Sequence, residues 1–134
     1  MTSNTDRHAC GLELMETVQG AEAAEAIRES FTGICPDFAD YIVEAGFGDV
    51  YGRDGLTLAQ RQLLNVAVLT AIGGAERQLA VHIRGALNVG VSPREIVEAI
   101  FHVALYAGHP RAVNGFRIAK ETLEEQGVTV EASR

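Results

Sequence analysis

The sequence predicts an all-α fold, a compact single-domain bundle of six or seven helices joined by short loops. Three observations carry this expectation. Apolar residues recur at helical spacing along most of the chain, strand-type alternation and Asn-Gly hairpin signals are missing, and helix-start and helix-stop residues punctuate the apolar stretches.

The elements follow in order. "GLELMETV" opens a short helix that Gly20 interrupts, and "AEAAEAIRESF" continues with Gly33 as its stop. Pro36 suits the first turn of "PDFADYIVEAGFGDVYG", where its missing N–H is not needed. Gly52 and Gly55 bracket a turn holding Arg53 and Asp54. Thr57 and Gln60 form a T-x-x-Q capping box ahead of "LLNVAVLTAI", a helix apolar nearly all round and therefore expected to be central. Gly73 and Gly74 end it. The next helix runs from Ala75 to Val89, with Gly90 as its C′ glycine. Ser92, Pro93 and Glu95 then supply an N-cap, an N1 proline and the N3 acid of a box. That helix reaches about Ala107 and stops at "GHP"; the last, "RAVNGFRIAKETLEEQ", ends at Gly127. Residues 1–10 and 128–134 are expected to be flexible. Several helices are too apolar for one solvent face each, so a homo-oligomer is expected to cover the excess.

Composition excludes several functions. The net charge of −7 argues against nucleic-acid binding, which needs a basic surface to neutralise phosphates. No apolar stretch is long enough to span a membrane, and the N-terminal residues lack a basic region followed by an apolar core, so a soluble cytoplasmic protein is expected. The basic residues are ten arginines and one lysine, a split that either serves carboxylate recognition or reflects codon bias. Lys120 lies in the charged run "RIAKETLEEQG", which sets Schiff-base chemistry aside. Cys10 and Cys35 form no C-x-x-C and read as buried or idle. His8, His82, His102 and His109 form no metal-binding spacing; no metal and no cofactor are expected, although a site assembled across helices stays open.

The polar groups on apolar helices carry the chemistry. His82 interrupts an Ala/Leu/Val/Ile run, with Gln78 on the same face one turn earlier. Glu98, His102 and Tyr106 are spaced four apart along "VEAIFHVALYAG", an acid–imidazole–phenol ladder in which Glu98 can orient His102. Each histidine taken alone also fits a core group bonded to a carbonyl, Tyr106 a core aromatic and Glu98 a surface acid. On consecutive helices expected to pack as an antiparallel pair, the two rings would line a pocket with pKa values tunable near neutrality. Glu76, in a first turn, fits the helix dipole. Arg53, in a turn flanked by Phe47 and Tyr51, could grip a substrate carboxylate or pair with Asp54 or Asp49.

The run "HIRGALNVGVSPREIVEAIFHVALYAGHPRAVNGF" resembles the carboxymuconolactone decarboxylase family. It shares the helical His, A-L-x2-G, a Ser/Thr cap with E-I-x-E, and Y-x-G-x-P. The resemblance extends upstream through "GFGDVYGRDGLTLAQRQLLNVAVLTAIG" and to "GLELMETVQG". It implies an alkylhydroperoxidase D-like helical fold assembled as a trimer or hexamer. It also implies a cofactor-free carboxy-lyase acting on 4-carboxymuconolactone or a related small carboxylated lactone, as in aromatic catabolism. The peroxidase branch carries a C-x-x-C before the histidine; Ala75 and Gln78 stand there, so that branch is rejected. The chain departs from the family by Gln78 where an acid is common, and by Phe47 and Tyr51 where Trp is common. On this reading Arg53 anchors a carboxylate and His82 donates the proton with Gln78 beside it. His102, oriented by Glu98, and Tyr106 supply donors to the developing enolate. The same groups could serve isomerisation, cyclisation or lactone chemistry in a biosynthetic pathway, or sit idle in a helical oligomer that binds a small ligand.

Overall fold

Ser3 starts the first helix. Its hydroxyl accepts from the Asp6 N–H at 3.2 Å, and the Asp6 carboxylate accepts from the Ser3 N–H at 3.2 Å, which satisfies two donors the helix would leave orphaned. Helix α1 therefore spans Asn4–Gln19, and residues 4–10, expected to be flexible, are its opening turns. The computed structural model describes residues 3–131, apart from the Asn4 side chain; among them every regular element is helical. The chain divides into two units, Met1–Leu58 and Ala59–Arg134.

In the first unit, α2 (Ala21–Glu29) and α3 (Pro36–Tyr41) follow α1. Pro36 sits in the first turn of α3 as expected. The single α-helix expected over the following residues is not formed. From Ile42 to Tyr51 the backbone is π-helical, with the wider i→i+5 register. Two glycines inside the segment, Gly46 and Gly48, weaken the α preference. A third, Gly11 on α1, lets the two backbones touch: a Cβ there would overlap the Val43 carbonyl oxygen and lie 3.1 Å from the Gly48 nitrogen. Met15, Val18, Val43 and Phe47 are buried around this contact. Arg7 clamps the outer edge, its Nε 2.9 Å and its Nη2 2.6 Å from the two carboxylate oxygens of Asp49. That pair holds the Asp49 carboxyl below its usual range.

In the second unit, α4 (Leu58–Ile72), α5 (Glu76–Asn88), α6 (Pro93–Ala107) and α7 (His109–Glu125) follow the expected order. Gly90 has φ 93°, and the Val91 N–H returns to the Ala86 carbonyl at 3.0 Å, so α5 closes in a Schellman motif. The Ser92–Glu95 capping box then opens α6 at once. Helix α7 begins two residues earlier than expected, with Pro110 in its first turn. The Val128 N–H is tied back to the Leu123 carbonyl at 2.9 Å; residues 128–131 have no regular structure, and 132–134 lie outside the described residues.

The core of this unit gathers Ile83, Ile96 and Ile100, all fully buried, each contributing about 1.5–3 kcal/mol by transfer from water. Helix α7 packs on both α5 and α6, which meet each other only briefly, so the expected antiparallel α5–α6 pair is replaced by two helices sharing a third. Gly115 brings α7 close to α4 as well as α6. A Cβ there would lie 2.6 Å from Thr70 Cγ2 and 3.1 Å from Ile100 Cγ2, so α7 lies closely against both α4 and α6. Helix α4 is less central than expected. It buries Gln62, Val66 and Thr70, while Leu64, Val68 and Ile72 remain 52–58% exposed.

Candidate active site

His82 and its partners form the polar centre of the second unit. The ring projects from α5 toward α4, and Nδ1 lies 2.9 Å from the carboxamide oxygen of Gln62 and 3.4 Å from the amide nitrogen of Asn65. Gln62 is fully buried, whereas His82 keeps part of its surface open to solvent. The local reasons are plain in the sequence. Gln62, Val66 and Thr70, four apart, form the inward stripe of α4. On α5, Leu79, Ile83 and Ala86 anchor the core and hold His82 at its edge. Burial lowers the His82 pKa from its usual 6.5 to about 4, so the ring is neutral at pH 7. A neutral imidazole with one fixed nitrogen can accept a proton and return it.

The other expected site residues of this unit make no contact with the His82 ring. Gln78 is exposed and is not a partner of His82; the amides that hold the ring come from α4. Glu98 does not orient His102. Its carboxylate lies 3.8 Å from the Arg94 guanidinium, a charged neighbour one turn away in solvent. His102 and Tyr106 do meet, with ring centroids 5.8 Å apart, but on the exposed face of α6, where Tyr106 is 87% exposed. Arg53 lies on the exposed turn after the π-helical segment, in the first unit; Asp49, one of its expected partners, is held by Arg7. Phe47 and Tyr51 pack edge to face at 4.7 Å. Glu76 occupies the first turn of α5, as the dipole reading expects. Cys10 and Cys35 are free thiols, both exposed rather than buried.

Two cavities of this unit are lined by residues other than His82. An open groove of about 460 Å³ runs beside α7, lined by Val97, Phe116, Leu123 and Val130 among others. A water-sized void of about 10 Å³ touches Gly73, Glu76, Arg111 and Asn114. Among the described residues no group of three or more His, Cys, Asp or Glu is placed to hold a metal ion, and no helix is long and apolar enough to cross a membrane.

The lowered pKa has a consequence for stability. Between pH 6.5 and about 4 the unfolded chain binds a proton at this ring that the folded chain does not. Folding therefore has its full stability from His82 above pH 6.5, loses it as the pH falls through that window, and loses no more below about 4. The full effect is about 3 kcal/mol. Urea unfolding at about pH 7 and about pH 4.5 should show a larger loss in the native protein than in His82→Gln. Equal losses would refute the shift.

A helical scaffold that holds a neutral, partly accessible imidazole between two carboxamides has the groups that acid–base chemistry requires. Residues 36–121 match the model of the Carboxymuconolactone decarboxylase family, and the chain belongs to that family. It is 33% identical over 129 residues to a 4-carboxymuconolactone decarboxylase of Acinetobacter baylyi, covering 96% of both chains. It is also 33% identical over 116 residues to the nitrosuccinic acid decarboxylase npaB of Metarhizium robertsii, covering 86% of this chain and 80% of that one. An uncharacterized 15.0 kDa protein of Paracoccus denitrificans, from the nqo9-nqo10 intergenic region, matches at 33% over 94 residues, covering 69% of this chain and 70% of its own.

Proposed function

We propose that the chain is a cofactor-free decarboxylase of a small carboxylated organic acid, with 4-carboxymuconolactone as the first substrate to test. The observation that carries the proposal is His82: a ring made neutral by burial and tethered at one nitrogen, in a chain 33% identical over 129 residues to a 4-carboxymuconolactone decarboxylase. The chemistry needs a carboxylate next to a conjugated acceptor, and then a proton delivered to carbon. The C–COO⁻ bond breaks, its electron pair enters the unsaturated lactone, and CO2 leaves. An anionic substrate beside a half-buried imidazole favours the charged ring, so His82 takes up a solvent proton as the substrate binds. It passes that proton to the new carbanion and returns to neutrality. The proton transfer falls to His82 rather than His102, because only His82 combines burial with fixed partners. The half-exposed apolar stripes on α4 and α6 favour a homo-oligomer, a trimer or hexamer, as the working form.

The similarity to a nitrosuccinic acid decarboxylase supports a second substrate. A nitro group next to the departing carboxylate accepts the electron pair as the lactone does, so one proton donor could serve both. The test is CO2 release from each acid on incubation with the purified protein. Release from 4-carboxymuconolactone supports the main reading, and release from nitrosuccinic acid alone selects the second. A folded protein that releases CO2 from neither is not the decarboxylase proposed, and isomerisation or lactone chemistry takes its place.

A further inference from the structure

The two amides at His82 demand opposite states of the same nitrogen. A carboxamide oxygen only accepts, so the Gln62 contact requires a proton on Nδ1; an amide nitrogen only donates, so the Asn65 contact requires a bare Nδ1 with the proton on Nε2. Distance decides between them. The Gln62 contact, at 2.9 Å, is an ordinary N–H···O bond, while the Asn65 contact, at 3.4 Å, lies beyond the usual range. Burial strengthens the choice. Gln62 has no exposed surface, and the other tautomer would set its oxygen against the ring's lone pair with no water to relieve it.

We propose that Gln62 is a positioning residue: its buried oxygen holds His82 as the Nδ1–H tautomer and leaves the Nε2 lone pair as the site that takes up and returns the proton. The catalytic half of this proposal rests on the decarboxylase reading; the tautomer does not. Nδ1 keeps its proton throughout, and only Nε2 exchanges. The choice of amide over acid follows. A carboxylate at position 62 would also orient the ring, but it would hold it as an imidazolium before any substrate arrived. Glutamine orients without adding charge, so the ring stays neutral until an anion binds.

The test reads the tautomer directly, by two-bond ¹H–¹⁵N correlation of the His82 ring in the folded protein at about pH 7. The native ring should show a protonated-type Nδ1 and a bare Nε2. Gln62→Leu, which removes the acceptor, should lose that preference, and Gln62→Glu should keep the proton on Nδ1. With a substrate that is turned over, Gln62→Leu should lower kcat about tenfold or more while KM changes less, the size seen when an orienting hydrogen bond to a working histidine is lost. An Nε2–H ring in the native protein overturns the proposal, and so does an Nδ1–H ring unchanged in Gln62→Leu. The native spectrum decides even if the leucine variant does not fold. If neither acid is decarboxylated, the spectra still decide the role of Gln62, while the decarboxylase reading and the catalytic half fall.

Discussion

Replacing His82 with glutamine is expected to abolish CO2 release while leaving the helices in place. Glutamine is close in length, polar at its tip, and able to meet the Gln62 and Asn65 carboxamides, so the packing of α5 on its neighbours should survive. It cannot take up a proton. Loss of a positioned general acid lowers a rate by about 10²–10⁴-fold, and no second imidazole is held in this cluster to replace it. His102→Gln is the matched control. That ring is exposed and, among the described residues, meets only Tyr106, so turnover should stay within about threefold of native, the range of a surface change. Steady-state kinetics with circular dichroism on both variants checks the pair. A folded His82→Gln with native turnover would remove the central residue of the proposed chemistry. The reverse pattern, with only His102→Gln inactive, would move the site to the open face of α6.

The difference between these two histidines shows what the sequence could and could not convey. Both stand in apolar helices, and spacing places each on a definite face. Spacing does not say whether that face turns inward. On α6 the inward stripe is Ile96, Ile100 and Val103, so the Glu98–His102–Tyr106 ladder points away from it. Local signals fared better: Gly90, Ser92, Pro93 and Glu95 act within one or two turns and stand where expected. The start of α1 is weakly marked in the sequence because Ser3 and Asp6 form a box with aspartate in place of Glu or Gln, ahead of residues with no apolar period. The partners of His82 are hidden in the sequence for a different reason. Gln62 and Asn65 lie 20 and 17 residues away, and contacts between helices are not written in the spacing along one helix. One signal was present. Gln62, Val66 and Thr70 recur at i, i+4 and i+8 in a helix read as apolar nearly all round, and polar side chains sharing a face with a core valine mark an inward polar contact.

Gly11→Ala is expected to destabilise the first unit by at least about 2 kcal/mol, against the direction that helix propensity predicts. In an open α-helix, alanine for glycine is worth about 1 kcal/mol of stabilisation. Here the added Cβ would overlap the Val43 carbonyl oxygen and crowd the Gly48 nitrogen, both backbone atoms of the π-helical segment. Neither can swing aside as a flexible side chain could. Relief requires α1 to lift off the segment, which loosens the packing of Met15, Val18, Val43 and Phe47. Exposing even two such side chains costs about 3–6 kcal/mol, more than the propensity gain. Gly46→Ala tests the contact rather than the residue type: it lies in the same π-helical segment, and its Cβ would meet no atom within 4 Å. Urea denaturation of the two variants should give a much lower midpoint for Gly11→Ala and a near-native one for Gly46→Ala. Equal midpoints would show that the backbones of α1 and the π-helical segment do not touch at Gly11. A drop in both would mean that the π register itself, rather than the close approach, is what these glycines protect.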